Sequence, residues 1–452
     1  MTDAHETERR ALDSLHRLVE KALKAGADGA DAVGVFSANL SVSQRLGARE
    51  DLERAEANDV GLRVFIGQRS ANVSTTDTSE SAIAAVVERA MAMARLAPED
   101  SHAGLLEPTF LAKTPFPDLD LNDPAEPTAT LLYQRAAAAE DAARAVPGIT
   151  NSEGAGASWW RGTAALVISN GFVGAYTRSS QSVSASVIAG EGTGMERDYD
   201  YHAAVYGSDL EDPTLIGRSA GERAVKRLRP RKMPSAKVPV VFDPRIARSL
   251  LGHLASAING QSVARGTSFL KDRLGTQVFA PNITIVDDPH IVRGRASYPS
   301  DAEGAANRKR HLVEGGTLTT WLLDRASAHQ LGLTTTGHGF RGTSGPPTPH
   351  ATNLYLAPGA DTPQILMADI KSGFYVTELI GFGVNGVTGD YSRGAAGFWI
   401  ENGEITYPVN EMTIAGNLKD MFAALVPAND LELRYGTDAP TTRIDGMTVA
   451  GT

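Results

Sequence analysis

Hydrophobic residues recur along the chain at two spacings, one typical of helices and one typical of strands. Between Leu12 and Leu23 they recur every three or four positions, which predicts an amphipathic helix that ends near Gly26. From Ala32 to Thr75 the pattern changes to short β-like runs, DAVGVF, LSVSQRL and VGLRVFIGQRSANVST, which are separated by polar or glycine-containing breaks. These runs predict an antiparallel meander.

Helical spacing then returns from Ile83 to Ala94, with Asp77 and Glu80 as the predicted N-terminal cap. The following segment, Pro98 to Pro127, contains six prolines and predicts an extended connection. An alanine-rich helix is predicted from Ala129 to Val146.

Asn170-Gly171 stands between the apolar runs ALVIS and FVGAYT, which predicts a hairpin with a type I′ turn. The alternating run SVSASVIAG predicts a further strand. Another helix is predicted from Asp212 to Leu228, with Asp212 as its cap and Pro213 in its first turn.

A basic, proline-broken segment, Lys226 to Lys237, precedes a region dense in glycine, threonine and short apolar runs. The segment is compatible with a nucleic-acid-binding arm, but an interdomain linker is the favoured interpretation. We therefore predict an α+β protein of two domains. Residues 1–235 form a mixed helix and antiparallel-sheet domain, and residues 236–452 form a β-rich, barrel-like or sandwich-like domain.

Composition narrows the classes of function. The 452-residue chain has 53 acidic and 43 basic residues and a formal charge of −10, which disfavours non-specific nucleic-acid binding. It contains no cysteine, which excludes disulfides, thiolate catalysis and cysteine-ligated metal from this chain. Its N-terminus is polar and no apolar run is long enough to cross a membrane, so we expect a cytoplasmic protein.

Several residue clusters suggest chemistry, and each has a simpler explanation. His5-Glu6 begins a zinc-peptidase pattern, but positions 9 and 10 are arginine and the terminus is expected to be frayed. His338, Ser344 and His350 share a loop that contains no acid, so binding or subunit contact is favoured over catalysis there.

Three further patterns occur in the second half. Gly381–Gly386 matches GxGxxG, but the following residues are strand-like, so tight turns are favoured over dinucleotide binding. Asp287 and Asp288, with His290 nearby, are adjacent on a strand and point to opposite faces, which favours a turn over a metal site. Arg393, beside Asp390 and Tyr391, is compatible with a carboxylate anchor or with a surface salt link.

Long and specific motifs carry a family resemblance. They are LLDRASAHQLGLTTTGH from Leu322 to His338, TNLYLAPG from Thr352, and FYVTELIGFGVNGVTGDYSRGAAGFW from Phe374 to Trp399. With the stretch from Val384 to Phe422, they resemble the TldD/PmbA family, specifically its PmbA branch, also called TldE. The resemblance covers most of the chain and is densest in its second half.

The resemblance also shows where a zinc-binding motif would lie if this chain had one. The TldD branch carries an HExxxH zinc motif on a helix that follows a strand-and-proline opening similar to VVFDP here. If His253 takes the place of the first histidine, Leu254 replaces the glutamate and Ile258 the second histidine. The third ligand implied in that branch is a cysteine, which this chain lacks. We therefore assign no catalytic or metal-binding residue, and we predict that His253 is a packed or hydrogen-bonded helix residue.

By resemblance, the chain is a non-catalytic subunit of a heterodimeric zinc peptidase that degrades unfolded peptides and matures certain peptide antibiotics. A TldD-type HExxxH partner is expected to carry the zinc, and the peptide-binding residues are unknown. A homodimer of the isolated chain is possible, whereas nucleic-acid and membrane partners are not expected. Two alternatives stay open: a free-standing hydrolase around His338, His350 and Asp390, and a non-proteolytic modulator of a gyrase or toxin pathway.

Overall fold

The computed structural model describes residues 4–451, and the first half of the chain contains four helices and one large sheet. The helices are α1 (Ala4–Lys24), α2 (Glu80–Leu96), α3 (Ala129–Arg144) and α4 (Pro213–Lys226). The strands are β1 (Gly29–Arg45), β2 (Ala48–Ile66), β3 (Arg69–Thr75), β4 (Ile149–Ile168), β5 (Val173–Ala189) and β6 (Glu196–Ala204). The strands form one antiparallel sheet in the order β3-β2-β1-β4-β5-β6.

Side-chain alternation gives this sheet two different faces. One face is covered by helices: Leu62 and Val167 lie in the core beneath α1 and α2, and Trp159 and Val183 lie in the core beneath α3 and α4. Each fully buried side chain of this size stabilises the fold by about 1.5–3 kcal/mol. The helices therefore hold the first half together from one side only.

The opposite face of the sheet contacts the second half of the chain. Tyr176 on β5 meets Tyr298 edge to face at 6.2 Å between ring centroids, and the Arg178 guanidinium lies 5.6 Å from the centre of the same Tyr298 ring. On β2, Gly61 is in direct contact with the backbone of Thr343. The two halves thus enclose space between them, and the candidate site lies there.

Substituting Gly61 with alanine is expected to destabilise this contact. A Cβ atom there would lie 1.8 Å from the Thr343 carbonyl oxygen, so the loop or the strand must move. We expect the free energy of unfolding to fall by about 1–3 kcal/mol, the usual cost of overpacking. Denaturant unfolding measures this loss in the free energy of unfolding, and Ala57→Val on the exposed part of β2 serves as the control. Equal stability of Gly61→Ala and wild type would contradict this close packing.

The second half contains short helices and many short strands. The helices are α5 (Pro244–Ala257), α6 (Gly260–Ala264), α7 (Arg325–Gln330), α8 (Pro363–Met367) and α9 (Leu418–Ala423). The strands are β7 (Ala236–Phe242), β8 (Ile285–Asp288), β9 (Arg310–Glu314), β10 (Thr317–Leu318), β11 (Gly339–Phe340), β12 (Thr348–Pro349), β13 (Asn353–Leu356), β14 (Ser372–Ile380), β15 (Asp390–Glu401), β16 (Glu404–Asn417), β17 (Leu425–Pro427), β18 (Thr437–Asp438) and β19 (Thr442–Ala450).

Five of these strands close into a barrel. β16, β15, β14, β7 and β19 are neighbours in that order, and β16 also pairs with β19. Phe242, Phe374 and Ile444 from the barrel strands pack with Leu254 of α5 in one large core. A second sheet has the order β10-β9-β8-β13-β18, and β11 pairs with β12 as a two-stranded ribbon. The predicted α+β class, with a β-rich second half, is confirmed; the division at residue 235 stays a prediction.

Two of the predicted strand boundaries were wrong. DAVGVF and LSVSQRL belong to one strand, β1, and FVGAYT and SVSASVIA to another, β5. The polar residues between the runs are tolerated because the pairing of both strands continues through them on both sides. β6, which the sequence analysis did not predict, extends the sheet beyond β5.

Cap and turn details also differ from the sequence-based expectations. The cap of α2 is Ser79, whose hydroxyl accepts a hydrogen bond from Ala82 N, whereas Asp77 accepts one from Ser79 N at 2.8 Å. The hairpin at Asn170-Gly171 is present, but only Gly171 has a positive φ, so the turn is not type I′. His5 lies in the first turn of α1 and not in a frayed terminus.

The basic segment between the halves packs against the chain's own surface. Arg227 forms ion pairs with Glu196, at 3.4 Å, and with Glu378. The Arg231 guanidinium lies 3.9 Å from the centre of the Tyr407 ring. These contacts join the sheet of the first half to the barrel, which supports the linker interpretation over a nucleic-acid-binding arm.

Candidate functional site

The helix that would carry a zinc motif is α5, which begins after β7 with Asp243 as its cap and Pro244 in its first turn. On this helix Leu254 is fully buried in the barrel core, and Ile258, at the C-cap, is fully buried as well. His253 points elsewhere, and its ring meets Tyr391 edge to face at 5.8 Å. The prediction of a packed helix histidine is therefore confirmed.

The surroundings of His253 do not suit a zinc ion. Within residues 4–451, its Nε2 atom and the Tyr391 hydroxyl have no hydrogen-bond partner. Burial, and then the charge of Arg393, lower the pKa of His253, so the ring is neutral at neutral pH. A single neutral imidazole with an arginine nearby lacks the three or four ligands that zinc requires.

The loop with two histidines forms the β11–β12 ribbon. His338 is buried, and its ring nitrogens contact Thr336 Oγ1 at 2.7 Å and Asp287 Oδ2 at 3.1 Å. His350 is exposed, and its ring lies 5.3 Å from the Phe340 ring, centroid to centroid, with the two planes tilted by 41°. Ser344 is exposed, and none of the hydrogen bonds among residues 4–451 joins its hydroxyl to either histidine. The three residues do not form a nucleophile–base pair.

Asp287 and Asp288 point to opposite faces of β8, as the alternation predicted. Asp287 is fully buried and accepts hydrogen bonds from Thr352 N at 2.5 Å and from the Thr352 hydroxyl at 2.7 Å. Asp288 Oδ1 accepts from His290 N at 3.0 Å, which closes a turn. Asp287 thus supplies the acid that the His338 loop itself lacks, from 51 residues earlier in the chain.

Gly381–Gly386 lies in the turn between β14 and β15, so a strand and not a helix follows it. This geometry excludes the dinucleotide fingerprint, as expected from the sequence. Arg393 Nε donates to the Ile380 carbonyl at 3.3 Å, and Asp390 contacts Thr388 instead. Asp390 and His338 therefore have separate partners, and within residues 4–451 no hydrogen bond joins Asp390 to His338 or His350.

A buried acidic pair, Asp301 and Glu303, was missed by the sequence analysis. Their side-chain oxygens would lie 3.0 and 2.8 Å from a Cβ atom at Gly339, so both surround the start of the ribbon. Burial, followed by the charge of Asp301, raises the pKa of Glu303 to about 8. Burial also raises the pKa of Asp301. The pair therefore retains a proton at neutral pH.

Folding stability is expected to fall as pH rises from about 5 to about 8. The pKa of Glu303 is raised to about 8 in the folded chain, from an ordinary value of 4.5, so the folded state binds more protons across this window. Glu303→Gln removes this titration and should flatten the decrease. Melting temperatures of wild type and variant between pH 5.5 and 8.5 test this, with Glu404→Gln on exposed β16 as control. Identical slopes for Glu303→Gln and wild type would contradict it.

A second buried cluster joins the two halves just after β11, where the connection to β12 begins. Asp31 on β1 accepts two hydrogen bonds from Arg63 on the paired strand, at 2.8 and 2.5 Å, and one from Arg341 Nη1. The side chains of Asp31 and Arg341 are each 1% exposed. Burial alone would raise the pKa of Asp31, but the two guanidinium groups hold it below its ordinary value. Asp31 is therefore ionised at neutral pH.

A cavity of about 510 Å³ lies beside this cluster, between the sheet and the ribbon. The sheet contributes Trp160, Tyr176 and Arg178, whereas the second half contributes Arg295 and Arg341. His338, His350 and Asp301 also line it. The structure therefore brings the loop histidines, one acid and three arginines to one space, which the sequence analysis did not predict.

Within residues 4–451, no group of three or more histidine, cysteine, aspartate or glutamate side chains could hold a metal ion. Over the same range, no helix is both long and apolar enough to cross a membrane.

Family models match three consecutive parts of the chain. They are domain 1 of the PmbA/TldA metallopeptidases over residues 30–94, the central domain over 119–228 and the C-terminal domain over 235–451. The chain is also 39% identical to metalloprotease PmbA of Escherichia coli O157:H7 over 448 residues, 99% of this chain and 97% of the relative. The chain therefore belongs to the PmbA/TldD family.

Within the family, the similarity is to the PmbA, or TldE, branch. A metalloprotease PmbA homologue of Haemophilus influenzae is 39% identical over 96% of this chain and 94% of its own. A Bacteroides thetaiotaomicron structure described as a modulator of DNA gyrase has a TM-score of 0.90 at 28% identity and covers 100% of both chains. TldE of Thermococcus kodakarensis shares the fold, with a TM-score of 0.85 at 20% identity over 97% of this chain and 100% of its own.

Proposed function

We propose that this chain is the non-catalytic subunit of a two-subunit zinc metallopeptidase, in which a TldD-type partner carries the HExxxH motif. The geometry of α5 carries the proposal: Leu254 and Ile258 occupy the glutamate and second-histidine positions, and both belong to the barrel core. This helix stabilises the barrel and does not present ligands. The zinc, the general base and the attacking water then come from the partner.

The edge of β2 supports a role in substrate capture. Within residues 4–451, β3 pairs only with residues 60–66 of β2, so the outer edge of residues 48–59 has no strand partner and is mostly exposed. The Asp51 carbonyl accepts a hydrogen bond from the Tyr133 hydroxyl. An extended peptide can add to such an edge through backbone hydrogen bonds, with little dependence on its sequence. Residues 48–59 carry five acidic residues and two basic ones, Arg49 and Arg54, so the net negative charge of this edge favours peptides that carry lysine or arginine.

Unfolded peptides in the cytoplasm are the substrates that this proposal implies. A TldD-type chain is the preferred partner, and pairing of two copies of this chain is expected only when that partner is absent. Related subunits have related surfaces, so a surface suited to one can also accept the other.

Reconstitution from purified chains tests the proposal. This chain, an HExxxH-bearing chain from the same organism, and their mixture are compared for zinc content and for cleavage of an unfolded peptide. We expect about one zinc per HExxxH chain and efficient cleavage only in the mixture. Stoichiometric zinc in this chain alone, or full activity of the HExxxH chain alone, would refute the proposal.

A second measurement separates the proposal from a non-proteolytic role. The tagged chain is expressed at its native level, and the proteins that co-purify with it are identified. A TldD-type chain should be recovered in near-equal amount. Recovery of gyrase subunits without that chain would favour the gyrase alternative instead.

A further inference from the structure

Arg341 has hydrogen-bond donors that the folded chain leaves unused. Its Nη1 atom binds Asp31, but Nε and Nη2 have no hydrogen-bond partner within residues 4–451. The side chain is only 1% exposed, and neither nitrogen is accessible to water from the bulk solvent or from the neighbouring cavity. Nε and Nη2 are the adjacent donor pair of a guanidinium group, which matches the two oxygens of a carboxylate.

The cavity that Arg341 lines has the composition of a ligand site. Its volume of about 510 Å³ lies in the usual range for small-molecule sites. Val33, Ala164 and Leu166 give it an apolar wall, and Trp160 and Tyr176 add aromatic rings. Such a wall favours a ligand with an apolar or aromatic body.

The charges around the cavity are mostly positive. Three arginines line it, Arg178, Arg295 and Arg341, whereas Asp301 is the one carboxylate among the described lining residues. The hydrogen bond from Nη1 to Asp31 restrains the Arg341 side chain, which limits the side-chain entropy lost on binding.

We propose that this cavity binds a carboxylate attached to an apolar or aromatic body, and that the Arg341 guanidinium turns toward the cavity so that both oxygens accept hydrogen bonds from its Nε and Nη2. Such a carboxylate can come from two sources, a free organic acid or the C-terminus of a short peptide. The inference does not depend on the proposed peptidase partnership, because every residue involved belongs to this chain.

Binding to the purified full-length chain tests the inference. The probes are 4-phenylbutyrate and N-acetyl-leucyl-phenylalanine, each compared with its neutral amide by calorimetry and by tryptophan fluorescence, since Trp160 lines the cavity. Each acid that binds should do so roughly 10-fold or more tightly than its amide, from the strength of hydrogen bonds to charged groups. A preference for the peptide acid identifies a peptide C-terminus as the source, and the reverse identifies a free acid.

Two variants locate the site. Arg341→Lys keeps the charge beside Asp31 but removes the donor pair, and Ala164→Phe fills the cavity while leaving the ion pair intact. Both should weaken binding of the acids roughly 10-fold or more, and Arg9→Lys on exposed α1 should not. Thermal melts establish that each variant is folded.

Three results would overturn the inference. The first is equal binding of acid and amide, and the second is unchanged binding in the folded Ala164→Phe variant. The third is no binding of any probe at millimolar concentration, which would leave Arg341 with only its structural contact to Asp31.

Discussion

Replacing Asp31 with alanine is expected to lower the free energy of unfolding by about 3–5 kcal/mol, the usual cost of removing one partner from a buried ion pair. The substitution leaves Arg63 and Arg341, whose side chains are 9% and 1% exposed, without their carboxylate. Because Arg341 belongs to the ribbon of the second half, the loss also weakens the contact between the two halves. Urea or guanidinium unfolding at neutral pH measures the change.

Two further variants test the cause of this loss of stability: one separates charge from packing, and the other is a control at an exposed ion pair. Asp31→Asn keeps the volume and should still lose most of the stability, because the two guanidinium charges stay uncompensated. Glu20→Ala breaks an exposed pair with Lys24, at 3.8 Å on α1, and should cost no more than about 0.5 kcal/mol. A loss for Asp31→Ala no larger than that of Glu20→Ala would contradict the structural role of the cluster.

Leu254→Glu is the second substitution with a large expected effect. It places a carboxylate in the core between α5 and the barrel, where Leu254 is fully buried, and should destabilise the chain by more than about 4 kcal/mol. Adding Ile258→His to Leu254→Glu completes an HExxxH motif in the sequence. Positions 254 and 258 both point into the core, whereas His253 points elsewhere. We therefore expect no stoichiometric zinc in the double variant.

Gly252 provides the matched control on the same helix. It is exposed, and a Cβ atom there meets nothing within 4 Å, so Gly252→Glu introduces the same carboxylate without burying it. Replacing a helical glycine should stabilise α5 by up to about 1 kcal/mol. Denaturant unfolding and zinc analysis of both variants provide the measurement. A stable Leu254→Glu chain, or zinc bound by the double variant, would contradict the burial of these α5 positions in the core.

Helices and strands were predicted well where the element buries only one of its sides, because hydrophobic residues then recur at a regular spacing. α2 buries Ile83, Val87 and Ala94 as its spacing predicted, and α4 begins after Asp212 as its cap and proline predicted. Long strands were divided wrongly, because polar residues interrupt their apolar runs. In β1 and β5 the strand is maintained by pairing on both sides, and a single sequence does not show that pairing.

The candidate site was predictable only in part. The sequence singled out His338, His350 and Asp287 but could not show that Asp287 reaches His338. Asp31 lies in the apolar first part of β1, and a charge at such a position was a signal that a buried partner exists. Its partner Arg341 lies 310 residues away, so no local spacing could identify it.

The sequence by itself determined the family, the α+β class and the absence of cysteine, because these depend on local periodicity, composition and long motifs. It also determined that the residues after His253 do not match the HExxxH zinc motif. Only the tertiary structure decided that Leu254 and Ile258 lie in the core, and that Asp31, Arg63 and Arg341 meet beside a cavity. The physical reason is that burial and ion pairing arise between segments far apart in the chain, where one sequence carries no distance information.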